Sequence, residues 1–133
     1  MRNIRRLSFE IKILERIFGA GNIAYPSDGR WIKISNYRLP QTKCVYNFGF
    51  ITILIMVPEE YDSVGVSECY IDKDLKIKNG TAFYHLPHVH GKKFNEHGYQ
   101  WLCFHASSSF VGLLDFINTL KFYFTDPFQY QSL

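Results

Sequence analysis

Phe48-Gly-Phe-Ile-Thr-Ile-Leu-Ile-Met-Val57 is the stretch on which the reading of this fold turns. It is β-branched and apolar at both parities, so both sides of the extended chain call for cover. The expectation is a central strand buried on two faces, within a strand spanning Asn47 to Val57. The run is far shorter than the roughly 20 apolar residues that a membrane-spanning helix needs. Pro58 closes it, and Pro58-Glu-Glu-Tyr61 reads as a turn.

Outward from this strand the chain alternates between β and α patterns. Upstream, Arg30 to Arg38 reads as a strand with Ile32 and Ile34 on its apolar face, ended by Pro40. Further upstream, Leu7, Ile11, Leu14 and Phe18 recur at helical spacing and predict a helix over Leu7 to Phe18. Gly19 and Gly21 stop it, and Asn22 to Gly29 is a turn-rich link. Downstream, Val66 to Ile71 is a third strand, and Asn79-Gly80 is a strong turn signal. Thr81 to Gly98 reads as a long irregular segment, a kind of loop that is often functional. Trp101 to His105 supplies a further extended piece. Ala106-Ser-Ser-Ser109 offers a helix cap, and Phe110 to Phe124 repeats its apolar residues with helical period before Asp126-Pro127. Helices that flank consecutive antiparallel strands define an α+β fold, and short links favour a meander. Residues 1–133 read as a single domain, with no repeat and no linker.

Composition narrows the function classes. Hydrophobic residues make up 47% and aromatics 17%, enough for a packed core and too apolar for a disordered chain. The net charge of +3 is mild, and the one dense basic cluster is Arg2, Arg5 and Arg6. No clustered stripe of Lys and Arg marks a nucleic-acid binder. Three cysteines at wide spacing, Cys44, Cys69 and Cys103, do not form a disulfide framework. The first residues are basic, but no apolar run follows directly, so no signal peptide is expected. The expectations are therefore no nucleic acid, no membrane, and a reducing, cytoplasmic setting.

The chemistry-bearing stretch is Tyr99-Gln-Trp-Leu-Cys-Phe-His105. A cysteine used for chemistry needs a nearby base or cation to populate its thiolate. Cys103 and His105 are the one Cys–His pair in the chain separated by a single residue, and in an extended segment residues i and i+2 share a face. The plain alternative is a buried cysteine acting as a small hydrophobe.

Ile53-Leu-Ile-Met-Val-Pro-Glu-Glu-Tyr-Asp-Ser-Val-Gly-Val-Ser-Glu-Cys-Tyr-Ile-Asp72 resembles the strand, Pro-x-x-Tyr turn and following strand of ubiquitin-conjugating enzymes. That family has an N-terminal helix, a four-stranded meander, an irregular active-site region with its cysteine, and a helix after it. This chain has the same order over roughly residues 7 to 124. It is most similar to the bacterial group of ubiquitin-conjugating-like proteins labelled family E. The resemblance implies an enzyme that carries a bacterial ubiquitin-like protein as a cysteine thioester and transfers it to an acceptor amine, with no cofactor. Cys103 would be the nucleophile. His105 would activate the thiol, polarise the thioester or accept the amine proton, and Asn95 is a candidate donor to the oxyanion. Eukaryotic members carry His-Pro-Asn shortly before the cysteine. Here His85-Leu-Pro-His88 stands there without the Asn, and the gap to Cys103 is longer. Cys69 and Cys44 read as packing residues. Pro58 and Tyr61 identify the fold and read as structural.

In the resembled family the first helix docks the activating enzyme, so Arg2, Arg5 and Arg6 are candidates to steer an acidic partner. Antiviral defence is the setting the bacterial relatives suggest. Two alternatives stand beside this reading. One is a catalytically inactive binding module of the same fold. The other is a metal-binding adaptor built on His85, His88, His90 and His97 with Cys103 and His105. The Cys-x-x-Cys pairs that make zinc assignments strong are absent, and the simplest state of His90 and His97 is a solvated loop.

Overall fold

A computed structural model describes residues 2–61, 63–87, 89–90, 97–103 and 112–128, with His90 and Cys103 described by their backbone. The fold is α+β: an N-terminal helix, a mostly antiparallel sheet and a C-terminal helix. Helix α1 spans Ile4–Phe18. It starts about a turn before the first residue of the apolar repeat because Asn3 caps it. The Asn3 side chain accepts from the Arg6 backbone N–H at 3.0 Å, which satisfies one of the helix's orphan donors. Gly19 ends the helix at φ +92°, a conformation that side chains resist.

Among the described residues eight strands follow: β1 (Ile23–Ala24), β2 (Trp31–Arg38), β3 (Phe50–Met56), β4 (Glu68–Asp72), β5 (Ile77–Asn79), β6 (Ala82–Tyr84), β7 (Val89–His90) and β8 (Tyr99–Cys103). Helix α2 spans Leu113–Thr125. Six strands form one sheet in the order β1-β2-β3-β4-β8-β7, and β5 and β6 form a separate ribbon. All strand pairs are antiparallel. The ribbon turns at Gly80-Thr81, where the Asn-Gly signal lies, with Gly80 at φ +69°. The link before β2 thus contains the short strand β1, and the described residues after Gly80 contain β6 and β7 where the sequence implies an irregular segment. Two-residue strands such as β1 and β7 carry no periodicity of their own, and the neighbouring strand's open edge defines them.

Strand β3 is central, as its sequence predicts, but its cover is unequal. Ile51, Ile53, Ile55 and Val57 are buried, whereas Thr52, Leu54 and Met56 are half-buried. Register explains the difference. Ile23, Ile34, Ile53, Ile71 and Gln100 lie side by side across β1, β2, β3, β4 and β8. Ile32, Ile55, Cys69, Leu102 and Val89 form the next row. This face shares a single core with Leu7, Ile11 and Leu14 of α1 and with Leu113, Phe116, Leu120 and Phe124 of α2. The opposite face holds the row Lys33, Leu54, Tyr70 and Trp101, in which Tyr70 alone is fully buried.

Strand β2 contains a bulge. Ile34 pairs with Ile53 and Tyr37 with Ile51, three steps against two, and Asn36 takes φ +57°. The extra residue changes the phase of burial. Ile32 and Ile34 face the core before the bulge, and Tyr37 and Leu39 face it afterwards.

Candidate functional site

Strand β8 carries the candidate nucleophile, and a buried amide sets its position. Gln100 sits on the core face, 3% exposed, where its neighbours in the row are isoleucines. Its Nε2 donates to the carbonyls of Asp72 at 2.9 Å and Leu75 at 3.2 Å. A buried amide without such partners is costly, so the two bonds fix both the register of β8 on β4 and the path of the chain leaving β4. Sequence reasoning overlooked Gln100. Its signal is a polar residue two positions before Leu102, in the apolar phase of the strand.

Cys103 is the last residue of β8 and pairs in register with Glu68, the first residue of β4. His105 and Asn95 lie outside the described residues, as do the Ala106–Ser109 cap and the first residues of the expected second helix. Tyr99, at the other end of β8, stands across from Asp72. Burial pushes the Tyr99 phenol up, and the Asp72 carboxylate adds to the effect.

The other two cysteines are structural, as their sequence contexts suggest. Cys69 is fully buried in the middle of the sheet, between Ile55 and Leu102. The Cys44 thiol is half-buried and lies 3.5 Å from the carbonyls of Phe124 and Thr125 at the end of α2. Burial raises its pKa, a hydrogen bond with Tyr46 works the other way, and Asp126 adds to the rise. A thiol held protonated is a poor nucleophile.

The Pro58–Tyr61 turn binds the starts of both helices. The Tyr61 N–H donates to the Pro58 carbonyl at 3.1 Å, closing the turn, and the Tyr61 carbonyl accepts from the Asn3 N–H at 2.8 Å. The Tyr61 hydroxyl donates to Glu10 Oε1 at 2.8 Å and accepts from the Leu113 N–H at 2.7 Å. Helix α2 has Gly112 at its N-cap and no side-chain cap there, so this phenol takes that role. Burial raises the phenol's pKa. The Leu113 N–H opposes that, Glu10 adds to it, and Arg6 lowers it. The turn that carries the family resemblance is thus a structural joint.

The three N-terminal arginines are not equivalent. Arg5 is exposed. Arg2 is half-buried, and its Nε donates to the Val57 carbonyl at 3.1 Å. Arg6 stands 3.5 Å from the buried Glu10 and lies over the Tyr61 ring at 5.4 Å. Arg2 and Arg6 therefore fasten α1 to the joint at the end of β3, and of the three arginines Arg5 alone is exposed. The Arg6–Glu10 pair has the i, i+4 spacing of a helix, but sequence spacing does not show the contacts to Val57 and Tyr61, which join residues 55 positions apart.

Of the loop histidines, His85 and His97 are exposed. His90 pairs through its backbone with Trp101, and His88 lies outside the described residues. Among the described residues no three His, Cys, Asp or Glu side chains converge on a metal position. No described helix is long and apolar enough to cross a membrane. No protein-family model, curated protein or solved structure matches this chain.

Proposed function

We propose that this chain has the ubiquitin-conjugating fold and is a ubiquitin-conjugating-like enzyme that carries the C terminus of a ubiquitin-like protein as a thioester on Cys103. In the first step the Cys103 thiolate attacks the carbonyl of the activated C terminus. The new C–S bond forms as the C–S bond to the activating enzyme breaks and that enzyme's thiolate leaves. In the second step an acceptor amine attacks that thioester, the C–N bond forms, and the Cys103 thiolate departs. His105 takes the amine proton, and Asn95 donates to the oxyanion. The activating enzyme approaches α1, where Arg5 is its exposed cation.

The observation that carries this reading is the position of Cys103. It ends the strand paired with β4, after a helix, the β2–β3 pair and the Pro58–Tyr61 turn, and before a helix. The reading requires the Cys103 thiol to be open to solvent, unlike Cys69, and ionisable, unlike Cys44.

Two measurements test it. Native alkylation with iodoacetamide, followed by peptide mass spectrometry, should modify Cys103 well before Cys44, with Cys69 protected. Incubation with an activating enzyme, its ubiquitin-like protein and ATP should give an adduct on a non-reducing gel that thiol reagents remove. Cys103→Ser should abolish that adduct or replace it with a slower oxyester that thiols do not cleave. A Cys103 that resists alkylation in the native protein overturns the enzymatic reading, and an inactive binding module of the same fold takes its place.

A further inference from the structure

The solvent side of the two helices combines apolar tips with positive charge. In α1, Arg5, Phe9, Lys12 and Arg16 stand two residues before Leu7, Ile11, Leu14 and Phe18 respectively. Two residues are roughly 200° of helix, so this stripe points away from the core that the second set packs against. All four residues of the stripe are exposed. Phe122, Phe9 and Ile17 are 75%, 65% and 62% exposed, the highest values of any large apolar side chain among the described residues. All three lie on α1 or α2. The helices pack into one core, and Ile17 of α1 and Lys121 of α2 border the same groove between them, so these groups belong to one surface.

Charge on this surface is one-sided. The two helices expose four cations, Arg5, Lys12, Arg16 and Lys121, against one exposed carboxylate, Asp115. Glu10 is buried under the Tyr61 hydroxyl and Glu15 is half-buried. The surface is complementary to a negative partner. A protein partner's hot spot gathers its anchors in one desolvated pocket. Here the apolar tips are spread out, Phe9 and Ile17 being roughly 12 Å apart along the helix, with cations between them. A lipid surface receives each tip separately and pairs each cation with a headgroup.

We propose that the solvent side of α1 and α2 docks on an anionic lipid surface, with Phe9, Ile17 and Phe122 entering the headgroup layer and Lys12, Arg16 and Lys121 lying against the anionic headgroups. The contact is peripheral and needs no helix long enough to cross a bilayer. It owes nothing to Cys103 or to the thioester reading.

The test is sedimentation of the full chain with sucrose-loaded vesicles, either of phosphatidylcholine alone or of equal parts phosphatidylcholine and phosphatidylserine. The chain should sediment with the second kind and not the first, and rising salt should release it. Lys12→Gln and Lys121→Gln should each weaken binding about fivefold. Lys33→Gln removes the same charge from the sheet face opposite the helices and should leave binding unchanged. Phe9→Ser with Phe122→Ser, both at exposed positions, should weaken binding about tenfold. No binding to the phosphatidylserine vesicles, equal binding to both kinds, or equal losses from Lys12→Gln and Lys33→Gln overturns the proposal. Full binding by the double phenylalanine variant also overturns it and leaves a purely electrostatic face suited to an acidic protein.

Discussion

At Tyr61 a single oxygen atom joins the two helices. Its hydroxyl serves a buried carboxylate on α1 and the first free N–H of α2, and its ring supports Arg6. Replacing it with phenylalanine keeps the ring and removes only the oxygen. Glu10, 4% exposed, then keeps the Arg6 contact but loses a donor, and the Leu113 N–H loses its acceptor. Leaving buried polar groups unmatched costs about 1–3 kcal/mol. Tyr61→Phe should lower stability in urea by that amount. Arg5→Gln, at an exposed position, should change stability by less than about 0.5 kcal/mol. Equal stability of Tyr61→Phe and the parent chain would show that the phenol bonds do not hold the two helices.

At the scale of elements, α1 packs closely over the turn into β2. Gly29 has φ +71°, and a Cβ built there would meet Leu7 Cδ2 at 2.4 Å. Leu7 is itself 2% exposed and cannot swing into solvent without opening the core. Gly80 also has a positive φ, +69°, but nothing lies within 4 Å of a Cβ there. Both Gly→Ala variants incur backbone strain of about 1 kcal/mol or more. Only Gly29→Ala adds overpacking, which typically costs another 1–3 kcal/mol. Thermal unfolding of the two variants should therefore place Gly29→Ala clearly below Gly80→Ala. The reverse order would mean that α1 yields easily at this contact.

For the molecule as a whole, stability couples to pH through Asp72, a carboxylate the fold partly buries. Burial raises the pKa of Asp72, the Thr52 N–H opposes the rise, and Asp74 adds to it. The unfolded chain ionises this group near pH 3.9. Between that value and the higher folded one, the folded state holds more protons, so stability falls as pH rises through the window and stays reduced above it. Asp72→Asn should therefore be more stable than the parent at neutral pH and equal to it below about pH 3.9. The carboxylate is half-buried and screened by water, so the gain should stay under about 1 kcal/mol. Urea unfolding at pH 3.5 and pH 7 measures both arms, and a variant less stable at pH 7 would contradict this sign.

Local sequence patterns define the α+β class, the two helices, the central place of β3, the turn at Asn79-Gly80 and a packing role for Cys69. Each follows from local periodicity or from turn chemistry that acts over a few residues. They also brought the Cys103 segment into view, through a cysteine and a histidine at extended spacing. Tertiary structure alone decided the rest. The one-sided cover of β3 depends on where both helices lie, and no single strand encodes that. The roles of Arg2 and Arg6 depend on Val57 and Tyr61, which reach them only when α1 docks beside the Pro58–Tyr61 turn. Gln100 looks like a surface amide until β8 pairs with β4 and turns it to the core. Tyr37 and Leu39 reach the helix side because a one-residue bulge shifts the phase of β2. Periodicity reads each element's own face, whereas these contacts arise between faces that meet only in the folded chain.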